Sequence, residues 1–342
     1  MDIRKIQLTG KSTYVISLPK SWINDNNIQK QDELGIITQN NGTLLITKNT
    51  IKEIKSSTKR IRLDKTPDYE KLLRTMFASY ISGFTKIIIQ SEFVMGVEMR
   101  KIVDEFTGSL IGAEIIEATD KSYVISGFKI HQDVKSKDAI TLMGYTVRSM
   151  LKDFIQGLHT NDQSILENIH KRDAKVNKIN HFFSRLMVQF MQNHGVMENS
   201  NLTMPIVNCY FIISLYLETI GDNITNLADL SVLILNSDNK ADSIDKVEQT
   251  SKMILEIIEK SVDAWINFDY ALADEAIDLN DRLREKTKEL QQGLTDFEKI
   301  NHIDCMLDNI QYAGKIATNI AFVTLDAITF QEGNVDERNL NE

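Results

Sequence analysis

Beyond Pro67 this chain of 342 residues holds one further proline, Pro205, and that scarcity constrains its fold more than any other feature. Proline breaks a helix because it lacks a backbone N–H and its ring collides with the preceding turn, so long proline-free stretches suit extended helices. From about Lys137 apolar residues recur at helical spacing, predicting helices near 137–158, 162–195, 203–236, 242–270, 272–293 and 296–330. Polar breaks at 199–203 and 236–242 punctuate the pattern, and the second divides it into two sets of three. Two three-helix bundles are therefore expected, over 135–238 and 239–331, followed by a flexible tail, 332–342.

Ahead of the helices the periodicity changes. Ile3–Leu8, Tyr14–Leu18, Glu33–Thr38 and Thr43–Thr47 alternate or carry β-branched residues and read as short strands. Pro19 suits the opening of a brief helix, Lys20–Asn26. Asn40-Asn41-Gly42 is a hairpin signal between the last two strands. At under fifty residues, this first unit (1–48) buries too little surface to stand by itself. A basic linker follows over 49–60. Residues 61–134 then read as a small α/β domain: strand Ile61–Leu63, helix Asp68–Ser82, strand Lys86–Gln90, helix Val94–Ser109, and strands Glu114–Ala118 and Ser122–Ser126 around Asp120-Lys121. Nothing in it marks a ligand, so a rigid connector is expected. The fold class is multidomain α+β.

Net charge of −9 conceals an asymmetry. Residues 1–62 hold eleven Lys/Arg against five Asp/Glu, about +6, while the remainder carries about −15. Only the head has the sign to meet nucleic acid. The longest apolar run, Ile206–Leu217, is interrupted by Asn208 and Ser214 and is too short to span a bilayer, and no signal segment opens the sequence. Cys209 and Cys305 lack metal or redox spacing and are expected as buried, reduced thiols in a cytoplasmic protein without membrane insertion.

The stretch Tyr216–Leu230 sets Glu218, Asp222, Asn226 and Asp229 within an arc of roughly 80° on one helix. Ile213, Leu217, Ile220, Ile224 and Leu227 occupy the opposite arc, so core packing does not require the carboxylates. Clustered carboxylates suit hard, oxygen-preferring cations such as Mg²⁺, Ca²⁺, Mn²⁺ or iron. From spacing alone an ordinary solvated acidic face is the simpler reading. His170 and His181 share a helix face but lie about 16 Å apart, too far to hold one ion. Gly10-Lys11-Ser12-Thr13 is not a phosphate loop, because the required earlier glycine is Lys5 and a β-rich run follows. No activated nucleophile or His-anchored metal motif points to an enzyme.

Glu218, Ile220, Gly221, Asp222, Thr225, Asn226, Leu227, Ala228 and Asp229 together resemble the signature helix of the PhoU family of phosphate-uptake regulators, with Thr219 where that family usually has arginine. The resemblance implies an all-α pair of PhoU-like three-helix bundles and a divalent or iron metal ion held at Glu218, Asp222, Asn226 and Asp229. An echo of the motif at Ala317–Ala321 places Gln311, Lys315 and Phe322 where Glu218, Asp222 and Asp229 stand. The second site is therefore expected to be degenerate and metal-free, with Asp304 and Asp308 pairing locally with Lys315.

The head pattern RKIQLTGKSTYVISLPKSWI, followed by DELGIIT and NGTLLIT, resembles the AbrB/SpoVT swapped-hairpin β half-barrel in the form that precedes PhoU domains in archaeal regulators. That resemblance implies a homodimer built through the half-barrel and DNA contacts at Arg4, Lys5, Gln7, Lys11, Ser12, Thr13 and Lys20. The lysines and arginine would grip phosphates while Gln7 and Ser12 reach base edges. The implied function is a DNA-binding transcriptional regulator of phosphate uptake, acting at promoters of phosphate-transport genes through a body that senses phosphate status. The alternative is an adaptor without DNA binding that restrains a phosphate ABC transporter, through its ATPase or a sensor partner.

Overall fold

A computed structural model describes residues 3–38, 42–48, 57–127, 136–192, 203–235, 241–300 and 302–339. The chain divides into two compact units, Met1–Lys55 and Ser56–Glu342.

In the first unit, β1 (Gln7–Thr9) and β2 (Thr13–Val15) form an antiparallel hairpin in which Gln7 faces Val15, Leu8 faces Tyr14 and Thr9 faces Thr13. Gly10 adopts φ +68°, a conformation open to glycine because it lacks a Cβ, so the Gly10-Lys11-Ser12 segment is a tight turn between strands. Pro19 precedes α1 (Lys20–Asp25). A second hairpin joins β3 (Gly35–Thr38) to β4 (Leu44–Thr47), pairing Ile36 with Ile46 and Thr38 with Leu44. Gly42 in its turn has φ +77°, while Asn40 and Asn41 of the expected hairpin signal lie outside the described residues. The Lys48 ammonium donates to the Asn26 and Asn27 carbonyls at 3.0 and 2.7 Å, tying the second hairpin to the end of α1. All four strands are shorter than their sequence patterns.

The second unit opens with the α/β layer. Strand β5 (Thr58–Leu63) begins inside the stretch read as linker, because its backbone pairs in parallel with β6 (Lys86–Ser91) from Thr58 onward. Helices α2 (Tyr69–Ile81) and α3 (Val97–Gly108) and strands β7 (Glu114–Ala118) and β8 (Ser122–Ser126) complete a sheet of order β5-β6-β8-β7. Asp68 caps α2 by accepting from the Lys71 N–H. Met76, Tyr80, Val103 and Phe106 of the helices bury themselves against Ile87, Ile89 and Ile125 of the sheet.

The helical body contains α4 (Ser136–Thr160), α5 (Gln163–Gln192), α6 (Met204–Leu235), α7 (Ala241–Asn267), α8 (Tyr270–Gln292), α9 (Asp296–Ile300) and α10 (Ile303–Asn339). The two sets of three share one continuous apolar core running from Phe154, Phe183 and Leu217 to Ile254, Leu283 and Ile310. Each such buried side chain contributes about 1.5–3 kcal/mol. Arg148 of α4 ties the sets together, donating to the Asp263 carboxylate at 2.6 Å and the Glu259 carbonyl at 2.7 Å.

Three expectations are corrected. The helix read over 296–330 is split. Thr295 and Glu298 form a reciprocal capping box at the start of α9, and His302, at φ +60°, precedes a fresh helix. The backbone helix also continues to Asn339, through most of the stretch read as a flexible tail, where no proline stops it. Cys305 is exposed rather than buried, and Cys209 is half-buried. Met204–Val232 is long and apolar enough to cross a membrane by composition, but its apolar seam, Ile213, Leu217, Ile220, Ile224 and Leu227, fills the shared core.

Candidate functional site

Helix α6 turns its apolar seam into the core and leaves Glu218, Asp222, Asn226 and Asp229 on the opposite side. What faces them comes from α5. Gly221 is the point of closest approach: a Cβ there would lie 2.9 Å from Asp173 Oδ1 and 3.6 Å from Val176. The missing side chain lets the Asp173 carboxylate sit over α6 beside Glu218 and Asp222. Asn177, one turn along, donates to Asp173 Oδ2 at 2.9 Å. Asp173 Oδ1 and Asn177 Oδ1 are buried and accept no hydrogen bond from the protein.

Crowding three carboxyls in a half-buried groove favours their neutral forms. Burial, then the Asp222 and Asp173 charges, push Glu218 up to about 7. Burial and then Asp222 push Asp173 up to about 6, against the Asn177 hydrogen bond and the nearby His170. Asp222 is raised by burial. Protons or a hard cation would each relieve this repulsion.

The four expected metal ligands are therefore not one group. Glu218 and Asp222 stand together with Asp173. Asn226 is exposed, and Asp229 instead meets His170 Nε2 at 2.9 Å. Among the described residues no three His, Cys, Asp or Glu side chains converge closely enough to hold one ion. Glu218, Asp222 and Asp173 supply oxygen donors of the type hard cations prefer, but they are not drawn together into a set that closes on one ion. Asp173, Asn177 and His170 are missing from the expected site. Their signal was faint: an i,i+4 acid–amide pair on the preceding helix, echoed by Asn280 and Arg284.

The second set repeats the architecture without the acids. A Cβ on Gly314 would lie 2.9 Å from Asn280 Oδ1 and 2.6 Å from Leu283, reproducing Gly221 over Asp173 and Val176. Gln311 and Lys315 flank Gly314 as Glu218 and Asp222 flank Gly221. Asp308 accepts from Gln291 at 2.6 Å rather than pairing with Lys315, and Asp304 accepts from the Cys305 N–H.

In the head, strand alternation sorts the β1–β2 hairpin into two faces. Leu8 and Tyr14 lie on one, and continuing the alternation places Ile6 and Ile16 with them; all four are exposed. Gln7, Thr9 and Thr13 lie on the other together with the exposed Val15, with Lys5 beside them, and Lys11 and Ser12 form the turn. Lys20 opens α1, and Arg4 precedes β1 on the Ile6 side of the alternation, apart from Lys5 and Gln7.

Comparison with known proteins follows this division. Residues 140–231 match the PhoU domain family, and residues 7–54 match the family described as antidote-toxin recognition MazE, bacterial antitoxin. The crystal structure of PhoU from Pseudomonas aeruginosa is similar at 16% identity with a TM-score of 0.51, covering 56% of this chain and 93% of that one. No curated protein matches the sequence.

Proposed function

We propose that this chain, which carries a PhoU domain behind a MazE/AbrB-like head, is a dimeric DNA-binding regulator of phosphate uptake. The observation that carries the proposal is the two-faced head. Ile37 is the one large apolar side chain buried among the described residues of the first unit, whereas Ile6, Leu8, Tyr14, Ile16, Ile36 and Leu44 are exposed. A chain leaving so much apolar surface uncovered gains by closing it against a second copy. Dimerisation through that face leaves Lys5, Gln7, Lys11, Ser12 and Thr13 outward, repeated by two-fold symmetry, the arrangement needed to grip a pseudo-palindromic site.

Both matched families are regulatory, and no catalytic role is assigned. In the body, Glu218, Asp222 and Asp173 would have to draw closer together to take up a hard cation, with the Asn177 side-chain oxygen as a further donor. Two unpaired buried oxygens and two strongly raised carboxyls support this part of the proposal. A bound cation would supply positive charge on the α5–α6 face for acidic groups of a partner.

The test is a salt titration of the protein against promoter duplexes of phosphate-transport genes, with random duplex as competitor. Specific binding with a steep salt slope is expected, and Lys5→Ala/Lys11→Ala should lower that slope by about 2 while weakening binding to all sequences. No preference over random duplex at low salt would sink this reading and leave the transporter adaptor.

A further inference from the structure

We propose that the groove between α4 and α5, on the side of α5 away from the acidic cluster, binds a phosphoryl dianion, either free phosphate or a small phosphate monoester. A cleft of about 470 Å³ opens there, within the range of ligand-sized pockets. Lys171, Arg172 and Lys175 line it from α5, and Asp153 and Gln156 from α4, with Ile165 as an apolar wall. Three cations against one carboxylate leave two uncompensated positive charges. That matches the charge of a phosphate monoester near neutral pH better than a single carboxylate.

The cations are arranged rather than scattered. Arg172 Nη1 is tethered to Asp153 Oδ2 at 2.8 Å and hydrogen-bonds Ser149 Oγ, which holds the guanidinium in the cleft. Lys171 donates to Asn168 at 3.2 Å, and Lys171 and Lys175 stand one helical turn apart on either side of Arg172. The tethered Arg172 loses less conformational freedom on binding than a free side chain would, while the exposed Lys171 and Lys175 supply charge.

The internal repeat shows that the bundle does not need this charge. Asp173 and Val176 correspond to Asn280 and Leu283 through their shared relation to Gly221 and Gly314. In that register Lys171, Arg172 and Lys175 become Asp278, Leu279 and Arg282. Leu279 packs against the apolar core. One copy of the fold thus fills the position of the tethered arginine with an apolar contact, while the other keeps three cations in an otherwise acidic body.

The experiment is calorimetric titration of the full-length protein, without DNA or added metal, with inorganic phosphate and with glycerol 3-phosphate. Saturable binding is expected, weakened at least tenfold by Lys171→Ala/Lys175→Ala and unchanged by Lys288→Ala on α8. Tighter binding of the ester identifies a phosphorylated metabolite class, and tighter binding of the free ion identifies phosphate itself. Absence of binding by either at millimolar concentration overturns the proposal, as does full retention by the double variant. Lys5→Ala/Lys11→Ala should bind both ligands as the parent does, so the result is independent of whether the head binds DNA.

Discussion

At the scale of single residues, protonation decides the state of the α5–α6 site. Glu218 titrates near 7 in the folded chain against an ordinary 4.5, and Asp173 near 6 against 3.8. A carboxyl with a raised folded value takes up its proton more readily when folded. Its stabilising contribution is therefore complete below the unfolded value and is lost as pH rises through the folded one. Glu218→Gln removes that loss. The variant should match the parent near pH 4.5 and exceed it by about 1–2 kcal/mol at pH 8, well below the full shift because a half-buried group is screened by solvent. Thermal unfolding across pH in chelator measures this. Mn²⁺ added at pH 7.5 should raise the melting temperature of the parent and not of the variant, and a parent that does not respond removes the cation from the proposal.

At the scale of elements, the α/β layer is fastened to the bundle by a buried cation. Arg185 of α5 is fully buried, hydrogen-bonds the Tyr80 carbonyl, reaches the Gly83 carbonyl at 3.4 Å and lies over the Tyr80 ring at 4.8 Å. Those carbonyls end α2, where a helix carries partial negative charge. Burial lowers Arg185 to about 10 and raises Tyr80 to about 12, so the pair holds its charge state through the physiological range. His181 stacks on Phe77 one turn away, and Lys178 donates to the Gly108 carbonyl at the end of α3. Arg185→Ala should cost about 3–5 kcal/mol through the cavity and the carbonyls left without that donor. Hydrogen exchange should rise first at the C-terminal turn of α2, and uniform loss of protection across the body would contradict this account.

At the scale of the whole molecule, the head leaves apolar side chains of both its hairpins uncovered. Its two hairpins form separate two-stranded sheets and leave Leu8, Tyr14, Ile36 and Leu44 exposed. An isolated hairpin is marginal in water, so a second copy is the simplest source of the missing core. Leu8→Glu/Tyr14→Glu places charge on that face without touching the polar one. Light scattering should report a shift from dimer to monomer, with specific DNA binding lost in parallel. A variant that stays dimeric would move the interface to the body.

Much of this molecule was legible in local periodicity. The helical spacing beyond residue 137, the apolar seam of α6 opposite its carboxylates and the alternation of the head hairpins are properties of neighbours in the chain, and local geometry carries them intact into the fold. Pro19 and Gly10 likewise mark a helix start and a turn by their own backbone restrictions. The tertiary structure decided what depends on packing between segments. It set α5 across α6 at Gly221, so Asp173 joined Glu218 and Asp222 while Asp229 went to His170. The same packing fused the expected pair of bundles into one core, buried Arg185 under α2 and opened a cationic groove between α4 and α5. A stripe of charge on a helix records which residues share a face, and only the neighbouring helix determines which of them share a site.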